Sequence, residues 1–376
     1  MTLKIAHFLN ENRPSTPCLV IDLDVVTARY RRLQDSLPGV VISYAVKANP
    51  ARPVLEILNA GGSHFDAASI YEIEDLLALG VTPDRIVYGN TIKKEGDIAA
   101  AHAHGVRLFA FDSEAEVEKL ARSAPGAGVY CRIITTCEGA DWPLSRKFGC
   151  ELDMAHNLLL MARDLGLDAQ GLSFHVGSQQ TNPRQWGHAI KRAAQVFHSL
   201  ADQGLELKML NLGGGFPVRY RKEVPEIEEV AAAIMEAMRR EFGDTLPRMF
   251  IEPGRIITAD AGIIQTEVVL ISTKNYDNGV RWVYLDVGKF GGLAETMDEA
   301  IQYPLATHYN GAASGPVVIA GPTCDGADIL YENAGYSLPL DLKVGDKIQI
   351  GGAGAYTTTY ASICFNGFPP LQAHYI

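Results

Sequence analysis

The feature that most constrains this chain is a regular alternation of short β-prone runs with amphipathic helical segments over its first two thirds. Apolar residues recur at helical spacing in the segments 53–60, 70–79, 152–165, 183–203 and 225–242. Between the helical segments lie eight β-prone runs, at 40–47, 63–68, 85–89, 107–111, 128–135, 171–176, 208–212 and 248–252. Parallel strands need such helical crossovers, and eight of them can close on themselves. The sequence therefore predicts an α/β fold built on a (β/α)8 barrel of the TIM type.

The pattern of the sequence changes after Gly254. From residue 259 onward the runs 263–271, 282–286, 316–320 and 347–350 are β-prone, and few long helical stretches separate them. The run 16–21 precedes the first helical segment and is expected to join this second sheet. A chain of 376 residues also exceeds the size at which a single core keeps growing. We therefore expect a barrel domain at 25–260 and a mostly antiparallel β domain formed by 1–24 and 261–376.

Composition and charge narrow the class of protein. The hydrophobic fraction of 47% and the charged fraction of 20% are usual for a globular protein. A net charge of −11 without a lysine or arginine block argues against nucleic acid or an anionic membrane as a partner, and favours small cations. The six cysteines form no C-x-x-C pair, which predicts free thiols, and no metal site is expected. Because neither a signal-peptide pattern nor a membrane-spanning run is found, we expect a cytoplasmic protein.

The candidate catalytic residues lie where the predicted strands end. In such a barrel the carboxyl ends of the strands face one shared site. The unusual residues at these positions are Lys47, Asp66, Arg132, His175 with Ser178, Gly213 to Gly215, and Glu252 with Arg255. Apolar neighbours are expected to lower the pKa of Lys47, so that part of it is a neutral amine able to form a Schiff base. Each position alone is also consistent with a structural role, such as a solvated cap, a tight turn, a salt bridge or a core histidine.

Taken together, these residue types match the parts of one cofactor. The backbone N–H groups of the glycine run would bind a phosphate, with the guanidinium of Arg255 beside them. Glu252 would hold a protonated pyridine nitrogen, and His175 would stack on a flat ring. Lys47 would condense with an aldehyde. The combination predicts pyridoxal phosphate.

Six motifs occur in order along the chain: Tyr44-Ala45-Val46-Lys47, His175-Val176-Gly177-Ser178, Gly213-Gly214-Gly215-Phe216-Pro217, Glu252-Pro253-Gly254-Arg255, Gly321-Pro322-Thr323-Cys324-Asp325-Gly326 and Ala355-Tyr356. Their order and approximate spacing, from about residue 16 to the end, resemble those of the ornithine/diaminopimelate/arginine decarboxylases. These are the barrel-type (fold type III) pyridoxal phosphate enzymes with the alanine racemase-like fold.

The resemblance implies a role for each matching residue. The implied cofactor-binding residues are Lys47, Asp66, Arg132, His175, Ser178, Gly214, Gly215, Glu252, Arg255 and Tyr356. Lys47 would form the Schiff base and Glu252 would pair with the pyridinium nitrogen. The phosphate would be bound by Ser178, Gly214, Gly215, Arg255 and Tyr356. Asp66 matches the acidic position that the family has on its second strand.

The resemblance also implies an active site shared between two subunits. Cys324 resembles the catalytic residue that returns a proton to the substrate carbon after carbon dioxide leaves, and Asp325 one that binds the distal amine of the substrate. In this family both residues come from the partner subunit, and Lys147 matches a position on a loop that crosses the dimer interface. A homodimer is therefore expected.

The segment 285–299 is where substrate choice divides this family. Diaminopimelate decarboxylases are expected to present an arginine here, whereas this chain offers Glu295, Asp298 and Glu299. If the segment is helical, Glu295 and Glu299, four residues apart, share one face. An acidic cluster of this kind is also consistent with a solvated face. Asp298 and Glu299 stand near the usual aromatic–Asp pair of the family and are expected to bind the terminal ammonium of a basic amino acid.

The predicted reaction is decarboxylation of ornithine to putrescine, and of lysine to cadaverine, in polyamine biosynthesis. Carboxynorspermidine, diaminopimelate or arginine decarboxylation stays open as an alternative. A racemase on the same fold would use Tyr356 as its second acid/base but would leave Cys324 and Asp325 without a purpose. A non-catalytic regulator that binds another decarboxylase would be expected to have lost cofactor residues, and none is missing.

Overall fold

Eight parallel strands close into a barrel, as the sequence predicted. The computed structural model describes residues 1–142, 147–275, 280–309 and 311–376. The strands, in their order around the barrel, are Val41–Ala45, His64–Ala67, Ile86–Tyr88, Leu108–Phe111, Gly128–Arg132, Asp168–Ser173, Met209–Asn211 and Arg248–Ile251. The last strand pairs with the first, Phe250 with Val41 and Ile251 with Ile42, which closes the barrel. Each strand overlaps one of the predicted β-prone runs.

Helices separate most of these strands. The α-helices of the described chain, including those outside the barrel, are Leu3–Asn12, Leu23–Ser36, Arg52–Ala60, Ile70–Ala78, Glu95–Ala103, Glu114–Ser123, Leu152–Asp164, Arg184–Ala201, Ile227–Phe242 and Arg255–Thr258. The first helix was not predicted, because only Ile5 and Leu9 of its residues are buried and its apolar pattern is correspondingly thin. Among the described helices, none combines the length and apolar character needed to cross a membrane.

Local hydrogen bonds fix where the helices begin relative to the strand ends. The helix Ile70–Ala78 starts at Ser69, whose hydroxyl accepts a bond from the Glu72 amide at 3.3 Å. The Glu72 carboxylate in turn accepts from the Ala68 amide at 2.6 Å. This reciprocal capping satisfies backbone donors that a helix start leaves unpaired. It also fixes the turn that follows the strand bearing Asp66.

A nine-stranded, mostly antiparallel sheet forms the second part of the described chain. Its central strand Gly262–Thr273 pairs antiparallel with Cys18–Ile21, Arg281–Leu285 and Lys347–Gly351. The remaining strands are Leu305–Ala306, Ser314–Ala320, Ile329–Tyr331, Ser337–Pro339 and Gln372–Tyr375. The early β-prone run therefore joins the second sheet, as expected. A separate antiparallel pair, Ala140–Trp142 with Ser178–Gln180, was not predicted.

The chain divides into two compact units. The barrel unit comprises 27–217 and 224–254, and the β unit comprises 1–26, 218–223 and 255–376. The predicted barrel domain, 25–260, includes three stretches that the structure places in the β unit, namely 25–26, 255–260 and the segment 218–223. That segment packs within the β unit, where Val218 clusters with Ala259 and Ala355 and where Arg221 donates to the carbonyl of Ala334 at 2.7 Å.

Candidate active site

Lys47 lies directly after the first barrel strand, in the short 3-10 turn Val46–Ala48. Its neighbours Val46 and Ala48 are buried, but the Lys47 side chain is 53% exposed. Its Nζ lies 3.5 Å from Oδ2 of Asp66. The expectation of a lysine enclosed by apolar neighbours is therefore wrong, because the side chain extends past them and faces a carboxylate.

Asp66 is a buried carboxylate on the second strand, and only 4% of it is exposed. Oδ2 faces Lys47, whereas Oδ1 has no hydrogen-bond partner among the described residues. A Cβ on Gly89, just after the third strand, would come within 1.8 Å of Oδ1. Only glycine at that position admits this carboxylate. Since a buried oxygen without a partner is costly, the arrangement indicates that a polar group of a bound molecule satisfies it.

Glu252 directly follows the last barrel strand, and its carboxyl group is half-buried. Its Oε1 accepts a hydrogen bond from Nδ2 of Asn211 at 2.6 Å. Burial, with the charge of Asp66 as the next cause, raises the pKa of Glu252 to about 7, although the cationic Lys47 opposes the shift. A carboxyl group with this pKa becomes an anion when a cation binds beside it. It is therefore suited to a protonated ring nitrogen.

His175 lies two residues after the sixth barrel strand and is half-buried. Its Nδ1 accepts a hydrogen bond from the Gly177 amide at 2.9 Å, which places the ring proton of the neutral form on Nε2. Burial, followed by the positive charges of Arg132 and Lys47, lowers its pKa well below the ordinary value. The ring is therefore a neutral, flat imidazole near pH 7, which suits stacking on another ring.

The glycine run forms a close-packed cradle rather than a simple turn. Cβ atoms added to Gly213, Gly214 and Gly215 would meet the backbone oxygens of Phe174, Glu252 and Gly177 at 2.1, 2.5 and 2.3 Å. Two of the three glycines also have positive φ, +67° at Gly213 and +96° at Gly215. The amides of Gly214 and Gly215 donate to no acceptor within the described residues. Bare amides at such a turn are the usual donors to an anion.

Arg132 and Lys147 contact the same aromatic ring in the barrel unit. Arg132 ends the fifth strand, and its guanidinium carbon lies 5.2 Å from the centroid of the Phe148 ring. Nζ of Lys147 lies 5.0 Å from the same centroid. Ser178 begins the antiparallel pair of strands after His175 and is half-buried. Arg132 is thus at the carboxyl end of a barrel strand, whereas Ser178 and Lys147 lie in the segments that follow the strands.

In the β unit, Arg255 is the centre of a buried cluster. It begins the helix Arg255–Thr258 and is 5% exposed. Its Nη1 and Nη2 donate to the two carboxylate oxygens of Glu295 at 2.7 and 2.5 Å, and Nη1 also donates to the hydroxyl of Tyr220 at 3.0 Å. Burial by itself would lower the arginine pKa, but Tyr220 and Glu295 hold it well above its ordinary value. The guanidinium lies over the Tyr356 ring, 4.9 Å from its centroid. A surface salt bridge is therefore excluded for Arg255.

The acidic segment does not form the expected helical face. Ala294–Glu299 forms 3-10 turns interrupted at Met297 and Asp298, which have non-helical dihedral angles. Glu295 is buried in the ion pair just described, and Oε1 of Glu299 accepts bonds from two backbone amides of a neighbouring loop at 2.6 and 2.7 Å. Asp298 is exposed. The expectation that Glu295 and Glu299 share a face is wrong, because the backbone turns between them.

Cys324 and Asp325 are both exposed on a loop of the β unit. The Cys324 amide donates to Oδ1 of Asn366 at 3.1 Å. The loop is held by Asp328, which is 2% exposed and accepts bonds from the amide and hydroxyl of Thr323 at 3.1 and 2.7 Å. A buried carboxylate thus fixes the loop, while the thiol stays accessible.

Sequence reasoning missed Asn211, Gly89 and Asp328. Asn211 is a polar residue at the end of the otherwise apolar strand Met209–Asn211. A polar residue in such a run can be recognised in the sequence as a candidate functional position. Gly89 follows a β-prone run directly, but nothing in the sequence links it to Asp66. Asp328 lies four residues after Cys324, within reach of the motif that was identified.

The barrel residues fit pyridoxal phosphate. The orphaned Oδ1 of Asp66 can accept from a bound group, and the glycine cradle supplies amide donors that a Cβ would exclude. Glu252 offers a carboxyl group for the ring nitrogen, the neutral His175 offers a ring face, and Lys47 offers an amine. This donor set matches the aldehyde, ring and phosphate of the cofactor.

Known proteins of one family are similar to this chain over nearly its whole length. The pyridoxal-binding domain of the pyridoxal-dependent decarboxylases matches residues 23–259. The lysine/ornithine decarboxylase of Selenomonas ruminantium is 37% identical over 358 residues, covering 95% of this chain and 88% of that protein. Antizyme inhibitor 2 of Xenopus laevis is 35% identical over 388 residues, covering 99% and 83%.

Solved structures agree with the sequence comparison. The lysine/ornithine decarboxylase of Vibrio vulnificus, solved with cadaverine and also with putrescine, matches with TM-scores of 0.89 and 0.87. The cadaverine complex is 33% identical and covers 100% of this chain and 99% of that one. The chain therefore belongs to the barrel-type pyridoxal-dependent decarboxylases and is a carboxy-lyase that uses pyridoxal phosphate.

Proposed function

We propose that this chain decarboxylates L-ornithine to putrescine, and L-lysine to cadaverine at a lower rate, as a cytoplasmic enzyme of polyamine formation. The observation that carries the proposal is the set of strand-end groups around Lys47, Asp66 and Glu252, in a chain similar to lysine/ornithine decarboxylases over nearly its full length. The six cysteines are free thiols, which fits a reducing compartment.

The barrel residues hold and tune the cofactor. Pyridoxal phosphate, when bound, supplies an electron sink for the carbon from which carbon dioxide leaves. Lys47 would hold the cofactor through Nζ, which lies 3.5 Å from Oδ2 of Asp66. Glu252 would hold a proton on the ring nitrogen, because a cation beside this carboxyl group favours the ionised form of Glu252 despite its raised pKa. His175 would stack its neutral imidazole ring on the ring of the cofactor.

Phosphate binding is assigned to Ser178, the glycine cradle at Gly214 and Gly215, Arg255 and Tyr356. The amides of the two glycines and the permanently charged guanidinium are the chemical types that proteins use for phosphate. Arg132 is the further cationic residue of the barrel unit that is assigned to cofactor binding.

Cys324 and Asp325 act in the active site of a second subunit. Cys324 returns a proton to the substrate carbon, and Asp325 binds the distal amine. The exposure of both residues supports this assignment, as does a neighbouring exposed segment with apolar side chains, in which Ile363 is 85%, Tyr360 44% and Phe368 41% exposed. Exposed apolar residues of this kind are typical of protein interfaces.

Substrate selection is assigned to Asp298 and Glu299. Asp298 is the more available carboxylate, because one oxygen of Glu299 already accepts two backbone hydrogen bonds. A carboxylate at this position favours a terminal ammonium and disfavours the second carboxylate of diaminopimelate.

Carbon dioxide release from a panel of amino acids tests the activity. The panel is L-ornithine, L-lysine, L-arginine, carboxynorspermidine and meso-diaminopimelate, each with added pyridoxal phosphate. We expect the highest kcat/KM with ornithine and measurable turnover of lysine. Faster turnover of arginine or diaminopimelate would contradict the substrate assignment. Asp298→Asn should raise KM for ornithine, and Asp341→Asn, an exposed aspartate of the same unit, is the control.

Lys47→Ala tests the role of the lysine. We expect loss of the absorbance of the lysine-bound cofactor and loss of turnover. Lys208→Ala is the matched control, because Lys208 is also an exposed barrel lysine and its Nζ lies 3.7 Å from Asp168. Turnover retained in the Lys47 variant, or lost equally in the control, would contradict the assignment.

Cys324→Ala tests the proton donor and the dimer. Amine formation should slow and part of the turnover should end in transamination, whereas Asp341→Asn, which changes another exposed residue of the same unit, should have neither effect. Mixing equal amounts of the Lys47 and Cys324 variants should restore about a quarter of the activity, since half of the resulting twofold dimers contain one intact site of two. No recovery on mixing would refute shared sites.

A non-catalytic role is the alternative outcome of the carbon dioxide assay, in view of the 35% identity to antizyme inhibitor 2. Absence of carbon dioxide release from every substrate, with pyridoxal phosphate failing to bind, would favour it. Racemisation of an amino acid without carbon dioxide release would instead favour a racemase that uses Tyr356.

A further inference from the structure

In the buried cluster around Arg255, Glu295 and Tyr220 fix the orientation of the guanidinium as well as balancing its charge. Glu295 is 8% exposed and engages both terminal nitrogens of the guanidinium, so that it fixes the plane of the fork. Tyr220 accepts from one of the same nitrogens, and the Tyr356 ring covers the guanidinium. An arginine has a long, flexible side chain, and these contacts leave it one orientation.

Tyr220 is itself held in place. Its ring packs edge-on against Tyr303, with the centroids 5.3 Å apart and the planes at 84°. A Cβ on Gly352 would come 2.9 Å from its ring, so the backbone there packs directly on the tyrosine. Tyr220 lies in the segment 218–223, which belongs to the β unit together with Arg255 and Glu295.

We propose that Glu295 and Tyr220 are positioning residues that orient the Arg255 guanidinium for the phosphate of the cofactor. This inference rests on the proposed function of Arg255 as a phosphate ligand. A buried arginine without a carboxylate would be costly, and a guanidinium free to rotate would bind phosphate with a larger loss of entropy. The two residues therefore contribute to cofactor affinity without contacting the cofactor.

The position of Glu295 adds a consequence for specificity. It belongs to the same turns, Ala294–Glu299, as Asp298 and Glu299, to which substrate selection is assigned. A change in these turns that alters substrate preference is therefore expected to alter the affinity for pyridoxal phosphate as well. The two properties are linked through one ion pair.

Equilibrium binding of pyridoxal phosphate and of pyridoxal, which lacks the phosphate, tests the proposal without any turnover. Glu295→Gln should weaken pyridoxal phosphate binding about tenfold, the lower end of what removing the partner of a ligating side chain costs at metal sites. Pyridoxal binding should not change. Glu267→Gln is the control, because Glu267 pairs with Lys347 in the same unit. A loss of affinity that is equal for both ligands, or absent, would overturn the proposal.

Variants of Arg255 separate this inference from the function on which it rests. Arg255→Ala should abolish the preference for pyridoxal phosphate over pyridoxal, and adding Glu295→Gln to it should have no further effect. If Arg255→Ala keeps the preference, the phosphate role of Arg255 is wrong. If Arg255→Ala loses the preference while Glu295→Gln keeps it, only the positioning role is wrong.

Tyr220→Phe keeps the test decisive if Glu295→Gln does not fold. The substitution removes one hydrogen bond and keeps the ring that packs against Tyr303. It should weaken pyridoxal phosphate binding severalfold and leave pyridoxal binding unchanged. An unchanged ratio of the two dissociation constants would overturn the proposal.

Discussion

Replacing Glu252 with glutamine should remove a pH dependence of stability that this one carboxyl group creates. Burial, and next the charge of Asp66, raises the pKa of Glu252 to about 7 in the folded protein. In an unfolded chain a glutamate titrates near about 4.3. The difference of roughly 2.7 pKa units corresponds to about 4 kcal/mol in full, at about 1.4 kcal/mol per unit.

The sign follows from where the proton is held. Between about pH 4.3 and 7 the folded protein keeps the proton on Glu252 and the unfolded chain does not, so unfolding releases a proton. The free energy of unfolding therefore falls as the pH rises through this window and is flat above pH 7. At pH 5 most of this stability is still present, and at pH 8 it is lost. Glutamine cannot ionise, so the variant lacks this loss.

Urea unfolding of cofactor-free protein at pH 5 and pH 8 measures the effect. The free energy of unfolding of the variant minus that of the wild type should increase by about 3 kcal/mol from pH 5 to pH 8. Glu229→Gln, an exposed carboxylate on the helix Ile227–Phe242, should show no such increase. A difference that is the same at both pH values, or that moves in the opposite direction, would refute the pKa of about 7 and the burial argument behind it.

Two further substitutions test other parts of the barrel unit. Lys93→Met removes a fully buried ammonium group, and burial lowers the pKa of that group to about 8. Between pH 8 and 10 the unfolded chain binds the extra proton, so the wild type should gain about 2 kcal/mol of stability relative to the variant over this range. Equal differences in urea midpoint between the two proteins at both pH values would contradict this. Gly89→Ala should lower kcat/KM about 100-fold, because a Cβ 1.8 Å from Oδ1 must displace Asp66 and displacements near 1 Å have effects of this size. Gly96→Ala is the control, because a Cβ there meets nothing within 4 Å. Equal kcat/KM values for the two variants would refute the steric argument.

The alternation of strand and helix could be predicted because it depends on local periodicity. Each of the eight β-prone runs between residues 40 and 252 overlaps a barrel strand, and the early run 16–21 joins the second sheet. The helix Leu3–Asn12 could not be predicted, since Ile5 and Leu9 are its only buried residues. The segment 218–223 was placed in the wrong unit because its partners, Ala259 and Ala355, are distant in sequence.

The candidate site was predicted to a different extent in each unit. In the barrel unit a strand end determines where a residue lies, so Lys47, Asp66 and Glu252 could be located from the order of the runs. In the β unit the irregular turns at Ala294–Glu299 have no periodicity that would reveal them, and the helical expectation there was wrong. The pairing of Glu295 with Arg255, 40 residues away, is likewise invisible in the sequence.

By itself, the sequence determined the fold class, the cofactor and the identity of most groups proposed to hold it, because periodicity and motif order are properties of the chain. Only the tertiary structure decided the state of those groups. It left Lys47 exposed beside Asp66, raised the pKa of Glu252 and placed Glu295 on Arg255. Burial, pKa and ion pairing depend on distances between residues that are remote in sequence, and folding alone fixes those distances.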